Sequence, residues 1–273
     1  MKVSLVQCRV HPQKALNLQT ARRAFDQAHQ AGADLLVFPE TFMHAVQGLD
    51  NEARDRIAEP LDGPFVETMR QWAKEAHLWT IFGFFERPKV PDPAHRVYNA
   101  VAVISHEGAL VDTYRKTHLY DAFGARESDI FLAGDVLPHP IEAPFGRFGV
   151  EVCYELRFPE ISRHLALQGI DVLIVPAAWY QGPFKEHHWA TLMQARALEN
   201  TVYAVGANQA GAPFTGGSLA VDPLGVVLAQ AAEDEAFLTV DLPPDRIRTV
   251  REKLPCILQT RPELFHQKRP ATS

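Results

Sequence analysis

Cys153 sits in Arg147-Phe148-Gly149-Val150-Glu151-Val152-Cys153-Tyr154-Glu155-Leu156-Arg157-Phe158-Pro159-Glu160. Phe148, Val150 and Val152 alternate with smaller or polar residues, the period of a half-buried strand, and Pro159 suits the first turn of a helix. The thiol therefore stands at the strand-to-helix corner of a βαβ unit, where α/β proteins bind ligands and do chemistry. A buried structural cysteine is the competing reading, although such residues more often lie inside an element. Glu40 ends the run Asp34-Leu35-Leu36-Val37-Phe38-Pro39-Glu40, at the C-terminal end of a strand of its own. Desolvation there would raise a carboxyl pKa toward the range a general base needs, whereas a helix-capping or salt-bridging glutamate fits the same place. If the two strands run parallel in one sheet, Glu40 and Cys153 emerge at the same edge. Lys116 lies in Tyr114-Arg115-Lys116-Thr117-His118-Leu119-Tyr120 and Glu127 in Ala125-Arg126-Glu127-Ser128-Asp129. Each, taken alone, is equally consistent with a solvated loop charge.

Glutamate, lysine and cysteine together suit one reaction. The thiol supplies a nucleophile that forms a covalent acyl-enzyme and splits amide cleavage into two easier steps. A glutamate takes the thiol proton, hands it to the departing amine and then activates water. A lysine and the backbone N–H just after the cysteine hold the oxyanion.

The elements that must position these groups alternate. A strand over 2–8 leads to an amphipathic helix across about 14–30, with Leu18, Ala21, Phe25 and Ala28 on one face. After the Glu40 strand come a helix from Pro64 to His77, a strand over 79–85, and a hairpin with arms 98–104 and 109–114. The Cys153 strand is followed by a helix from Ile161 to Gln168, a strand over 170–175, a helix over about 187–200 and a strand over 201–207. A second hairpin, with arms near 217–222 and 226–230, completes the body. The polar, proline-bearing tail from about 243 to 273 is expected to pack on the body or on a second subunit. Repeated βα units plus hairpins predict an α/β fold with mixed sheets covered by helices, built as one domain over 1–273.

Three blocks carry a family resemblance. Phe38-Pro39-Glu40, Arg115-Lys116-Thr117-His118-Leu119 and Val152-Cys153-Tyr154-Glu155-Leu156-Arg157-Phe158-Pro159-Glu160 resemble the signature segments of the nitrilase superfamily of carbon–nitrogen hydrolases. His188-Trp189 with Ala195-Arg196-Ala197-Leu198-Glu199-Asn200, Val221-Asp222-Pro223-Leu224-Gly225, and the stretches Leu254–Gln259 and Arg261–Phe265 are similar to further family segments, in order along nearly the whole chain. The resemblance implies a four-layer αββα sandwich. It also implies a triad of Glu40 as general base, Lys116, and Cys153 as nucleophile, with Glu127 positioning the lysine and substrate and the Tyr154 N–H as second oxyanion donor. It further implies a homodimer through the helices near 159–168 and 188–200. The wording after Cys153 is most similar to the branch that acts on ω-amides of 2-oxo acids and on deaminated glutathione. One departure is Gly216-Gly217-Ser218, where relatives usually read Gly-His-Ser; this bears on pocket shape or substrate preference, not on the triad.

Other residues are weighed beside these. Phe42 and Trp179 are expected to line the pocket mouth. Arg157 suits a substrate carboxylate, or else an ion pair with Glu155, Glu160 or Glu199. His187 and His188 point about 100° apart on a helix and do not readily share one ion, so neither metal nor cofactor is expected. Within the same chemistry an N-carbamoyl amino acid hydrolase or a nitrilase stays open, though nitrilases often carry tryptophan where Tyr154 stands. A catalytically silent binding or scaffold protein would not need Glu40, Lys116, Glu127 and Cys153, and a thiol-redox protein would want a resolving cysteine near Cys153.

Composition narrows the partners. A net charge of −6 without a long basic run argues against nucleic acid. No apolar run approaches the roughly 18 residues of a membrane span, and the first residues read as a strand, not a secretory leader. Three widely spaced cysteines, Cys8, Cys153 and Cys256, predict free thiols in a reducing cytoplasm. The partners expected are a small amide and water.

Overall fold

The computed structural model describes residues 1–264. In chain order the first half comprises β1 (Lys2–Gln7), α1 (Lys14–Gln30), β2 (Leu35–Val37), α2 (Asn51–Ile57), α3 (Pro64–Ala76), β3 (Trp79–Glu86), β4 (Val97–Ile104) and β5 (Leu110–Arg115). The second half comprises β6 (Phe131–Leu132), β7 (Ile141–Ala143), β8 (Gly146–Val150), α4 (Pro159–Leu167), β9 (Val172–Ala177) and α5 (Lys185–Asn200). It continues with β10 (Tyr203–Asn208), β11 (Leu219–Val221), β12 (Val227–Gln230), β13 (Ala236–Asp241) and α6 (Pro244–Lys253).

Two mixed sheets result. The first runs β13-β1-β2-β3-β4-β5, with β6 on β4, and the second runs β12-β11-β10-β9-β8-β7. Alternation along the strands explains why they stack. In β4, Val101 and Val103 pack with Val3, Leu5 and Ile81 against Val150, Ile174 and Val205 of the second sheet. Ala102 and Ile104 point the other way and join Phe82 and Phe84 against Phe25 of α1 and Phe65 and Met69 of α3. On the far side, Leu165 of α4 and Trp189 and Met193 of α5 pack on the second sheet. The order is helix, sheet, sheet, helix, the expected αββα sandwich. Each fully buried aliphatic or aromatic side chain contributes roughly 1.5–3 kcal/mol, so the sandwich interior holds the fold while the strand ends remain free for polar groups.

Several boundaries differ from the sequence pattern. The strand expected to reach Glu40 stops at Val37. Pro39 has no N–H for the ladder, and Thr41 takes φ 51°, so Glu40 rides a turn beyond the strand. The Glu40 and Cys153 strands also do not share a sheet; β2 belongs to the first and β8 to the second. Their C-terminal ends meet across the sandwich instead. The region after the second hairpin contains an additional strand: β13 pairs antiparallel with β1 from Lys2↔Asp241 to Gln7↔Ala236. The tail then forms α6, which is anchored by Arg246 on Asp222 and by Arg251 on the Ile170 carbonyl. The final residues, 265–273, with Phe265 of the resemblance, lie outside the described residues. Among the described residues no helix is long and apolar enough to cross a membrane.

Candidate active site

Glu40 is carried by its turn into the space between the sheets, where it is 3% exposed. Its Oε1 accepts hydrogen bonds from Lys116 Nζ at 2.8 Å and Asn99 Nδ2 at 2.7 Å, and its Oε2 from the Ala178 N–H at 2.8 Å. Lys116 follows the last residue of β5, and its backbone is clamped by the Asn99 and Gly134 main chains. The ammonium also donates to both oxygens of Glu127, at 3.0 and 2.9 Å. Burial works against its charge, but Glu127 and Glu40 more than offset this, so Lys116 is held protonated well above the usual lysine range. Glu127 is fixed in turn by the Tyr120 N–H at 2.5 Å and by Asn99 at 3.0 Å.

Cys153 opens a short 3₁₀ turn, Cys153–Arg157, directly after β8. Its φ of 49° lies in the left-handed region that a non-glycine residue occupies at a cost, and such residues cluster where structure serves chemistry. Burial, reinforced by the negative Glu40, pushes the thiol well above the ordinary cysteine range, while Lys116 opposes the shift. The resting group is therefore a thiol rather than a thiolate, and reaction requires a base beside it. Glu40 is that neighbour. The turn itself is clamped by Glu155, fully buried, which accepts from the Val152 N–H on Oε2. Its Oε1 accepts from Tyr114 Oη, the Thr117 N–H and Thr117 Oγ1. One carboxylate thus ties the nucleophile turn to the segment bearing Lys116.

These groups line a cavity of about 270 Å³ that also includes Tyr120, Tyr154, Arg157, Trp179, Tyr180 and Lys185. Four sequence-predicted residues, Glu40, Lys116, Glu127 and Cys153, come together in it, and Tyr154, Trp179 and Arg157 join its wall. Phe42 does not. It is completely buried against Phe38, at 4.5 Å between ring centroids, and Phe65, because the turn at Thr41 sends it back under α3. Arg157 makes none of the three expected ion pairs. Its guanidinium lies over the Trp179 ring at 4.9 Å and meets His188 Nδ1 at 3.3 Å, while Glu155 is occupied elsewhere and Glu199 pairs with Arg196. Gly217 lies outside the cavity lining, with φ 70°, a conformation that suits glycine better than the histidine of relatives.

Sequence reasoning missed Asn99, whose amide bridges both carboxylates, and Lys185. The signal for Asn99 was present: it is an amide inside the otherwise apolar and aromatic strand Val97-Tyr98-Asn99-Ala100-Val101-Ala102-Val103-Ile104. Among the described residues no cluster of His, Cys, Asp and Glu is arranged to hold a metal.

Chemically, the arrangement offers a protonated thiol, a carboxylate to accept its proton, and a fixed cation for a developing oxyanion. Comparison with known proteins identifies the family. The sequence profile described as carbon-nitrogen hydrolase matches residues 2–252. The chain is 36% identical over 241 residues to a deaminated glutathione amidase of Escherichia coli O157:H7, covering 88% of this chain and 90% of that protein. It is 34% identical over 281 residues to the human deaminated glutathione amidase, covering 96% and 83%. A mutant amidase from Nesterenkonia sp. AN1, solved after Michael addition of acrylamide at its active site cysteine, superposes with a TM-score of 0.77 at 25% identity, covering 93% of this chain and 98% of that one.

Proposed function

Because this chain belongs to the carbon-nitrogen hydrolase family and is an amidase, we propose that Glu40, Lys116 and Cys153 are its catalytic triad. Glu40 removes the Cys153 thiol proton as sulfur attacks the amide carbon, and the oxyanion that forms is held by Lys116 and the Tyr154 N–H. Glu40 gives the proton to the departing nitrogen, the C–N bond breaks, and ammonia or an amine leaves a thioester on Cys153. Water then attacks the thioester, Glu40 takes a proton from it, and the second intermediate expels the sulfur, which recovers its proton from Glu40. Glu127 and Asn99 keep Lys116 and Glu40 in register. The observation that carries this reading is the buried lysine bridged between two carboxylates beside a buried, protonated thiol at positive φ.

The substrate proposed is a small linear amide, in particular deaminated glutathione, as the relatives' names suggest, or an ω-amide of a 2-oxo acid. The enzyme is proposed to form one hydrolase domain, to work in the reducing cytoplasm and to pair as a homodimer through α4 and α5. Ammonia or amine release from 2-oxo-acid amides, carbamoyl amino acids, aliphatic amides and nitriles identifies the class. Cys153→Ala is expected to lower kcat by at least about 10³-fold, and Glu40→Gln by roughly 10²- to 10⁴-fold. Intact-mass spectrometry should find an acyl adduct on the wild type and none on Cys153→Ala. Persistent turnover by Cys153→Ala removes the nucleophile from this scheme.

A further inference from the structure

Apolar packing stacks the two sheets, and it is non-directional. A general base, by contrast, must sit within hydrogen-bond reach of the proton it takes. Glu40 follows β2 of the first sheet and Cys153 follows β8 of the second, so directional contacts have to register one on the other. Glu155 ties the Lys116 segment to the nucleophile turn, and the Glu40 turn needs a tie of its own. Two groups of the second sheet reach it. Ala178, directly after β9, donates its N–H to Glu40 Oε2 at 2.8 Å. Gln209, directly after β10, donates its side-chain amide to the Glu40 carbonyl at 2.8 Å and to Thr41 Oγ1 at 3.0 Å.

Gln209 is itself firmly held. It is 2% exposed, and its N–H donates to the Ala177 carbonyl at 3.1 Å and to Asn208 Oδ1 at 2.9 Å. A carbonyl oxygen only accepts, so the amide nitrogen of Gln209 must face Glu40; its second N–H then falls on Thr41, and both donors are used. The turn they grip is one that needs holding. Thr41 is β-branched and takes φ 51°, a conformation that persists only where the surroundings over-determine it. Gln209 lies outside the cavity lining, so it acts through Glu40 and not on the substrate.

We infer that Gln209 is a positioning residue that registers the general base Glu40 on the sheet carrying Cys153. This rests on the triad reading above and adds to it a residue outside the three family-like blocks. Removing the amide releases the Glu40 carbonyl and the Thr41 hydroxyl together. The turn then answers only to its own sheet, and the carboxylate draws away from the thiol.

The test follows base and nucleophile without turnover. Iodoacetamide alkylates Cys153 as sulfur displaces iodide and Glu40 takes the thiol proton; peptide mass spectrometry separates Cys153 from Cys8 and Cys256. In Gln209→Met, which keeps the length and loses both donors, the Cys153 rate is expected to fall on the order of 10- to 100-fold, with kcat for a good amide falling in parallel and KM little changed. Glu40→Gln is expected to be slow as well. Adding Gln209→Met to it should cost less than about twofold more, because a residue acting through Glu40 loses its effect once Glu40 cannot take the proton. A wild-type rate in Gln209→Met, or its full loss repeated in the double variant, overturns the inference. If Gln209→Met does not fold, Gln209→Glu keeps the side-chain shape, with one donor when protonated and none when ionised. Its rate relative to wild type is expected to rise as pH falls, and a ratio near one at every pH overturns the inference. Failure of the triad reading shows differently, as wild-type alkylation in Glu40→Gln or turnover by Cys153→Ala.

Discussion

At the residue scale, burial assigns opposite tasks to groups that share one cavity. Cys153 is kept protonated by burial and by Glu40, while Lys116 is kept charged by two carboxylates that outweigh its burial. Glu151, two residues before the nucleophile, has no cationic partner in hydrogen-bond reach among the described residues. Its Oε2 accepts from Ser162 Oγ at 2.6 Å, its Oε1 has no partner, and burial pushes its carboxyl up to about 8. The folded pKa is thus above the unfolded value near 4.5. The stability tied to this proton is complete below pH 4.5 and is lost as pH rises to about 8, because only the unfolded chain ionises in between. Glu151→Gln, which cannot ionise, is therefore expected to raise Tm relative to wild type by several degrees at pH 8, with the difference shrinking toward pH 4.5. Thermal melts across that range check it, and a pH-independent difference would contradict the assignment.

At the scale of elements, the site depends on where strands end and how closely turns approach their neighbours. The Glu40 turn is laid on β3: Gly83 N–H donates to the Pro39 carbonyl at 3.2 Å, and the Met43 N–H donates to the Gly83 carbonyl at 3.1 Å. A Cβ at Gly83 would stand 2.2 Å from the Thr41 nitrogen and 2.8 Å from the Glu40 Cα, so backbone, not a flexible side chain, would have to move. Gly83→Ala is expected to displace Glu40 and to cost on the order of 10- to 100-fold in kcat/KM, together with a lower Tm. Steady-state kinetics on any good amide substrate checks it; wild-type activity in Gly83→Ala would show that the turn tolerates the shift. The need for glycine here was not legible from sequence. Phe82-Gly83-Phe84 reads as an ordinary strand interruption until the neighbouring turn is seen.

At the scale of the whole molecule, α4 and α5 cover the second sheet but leave apolar groups facing outward. Leu167 of α4 is 45% exposed and Leu198 of α5 46%. The proposed homodimer would cover them. Sedimentation equilibrium is expected to give twice the 30.5 kDa chain mass, and Leu198→Glu to shift the population toward single chains. A wild-type chain sedimenting at 30.5 kDa would end that proposal. The same scale separates what each level of description could reach. Helix and strand periods, set by local chemistry, placed α1, α3 and most strands within a few residues, and the family-like blocks singled out Glu40, Lys116, Glu127 and Cys153. Edge strand β13 and the polar helix α6 were missed, because their half-exposed patterns acquire meaning only against β1 and against Asp222 and Ile170. By itself the sequence determined most of the elements, their order and the candidate reactive groups, since these follow from neighbours along the chain. Only tertiary structure decided that Glu40 and Cys153 meet from two different sheets, that Phe42 turns into the core, and that Asn99 and Lys185 reach the cavity. Those outcomes depend on how two sheets stack and where their ends coincide, contacts between residues tens of positions apart that no local period encodes.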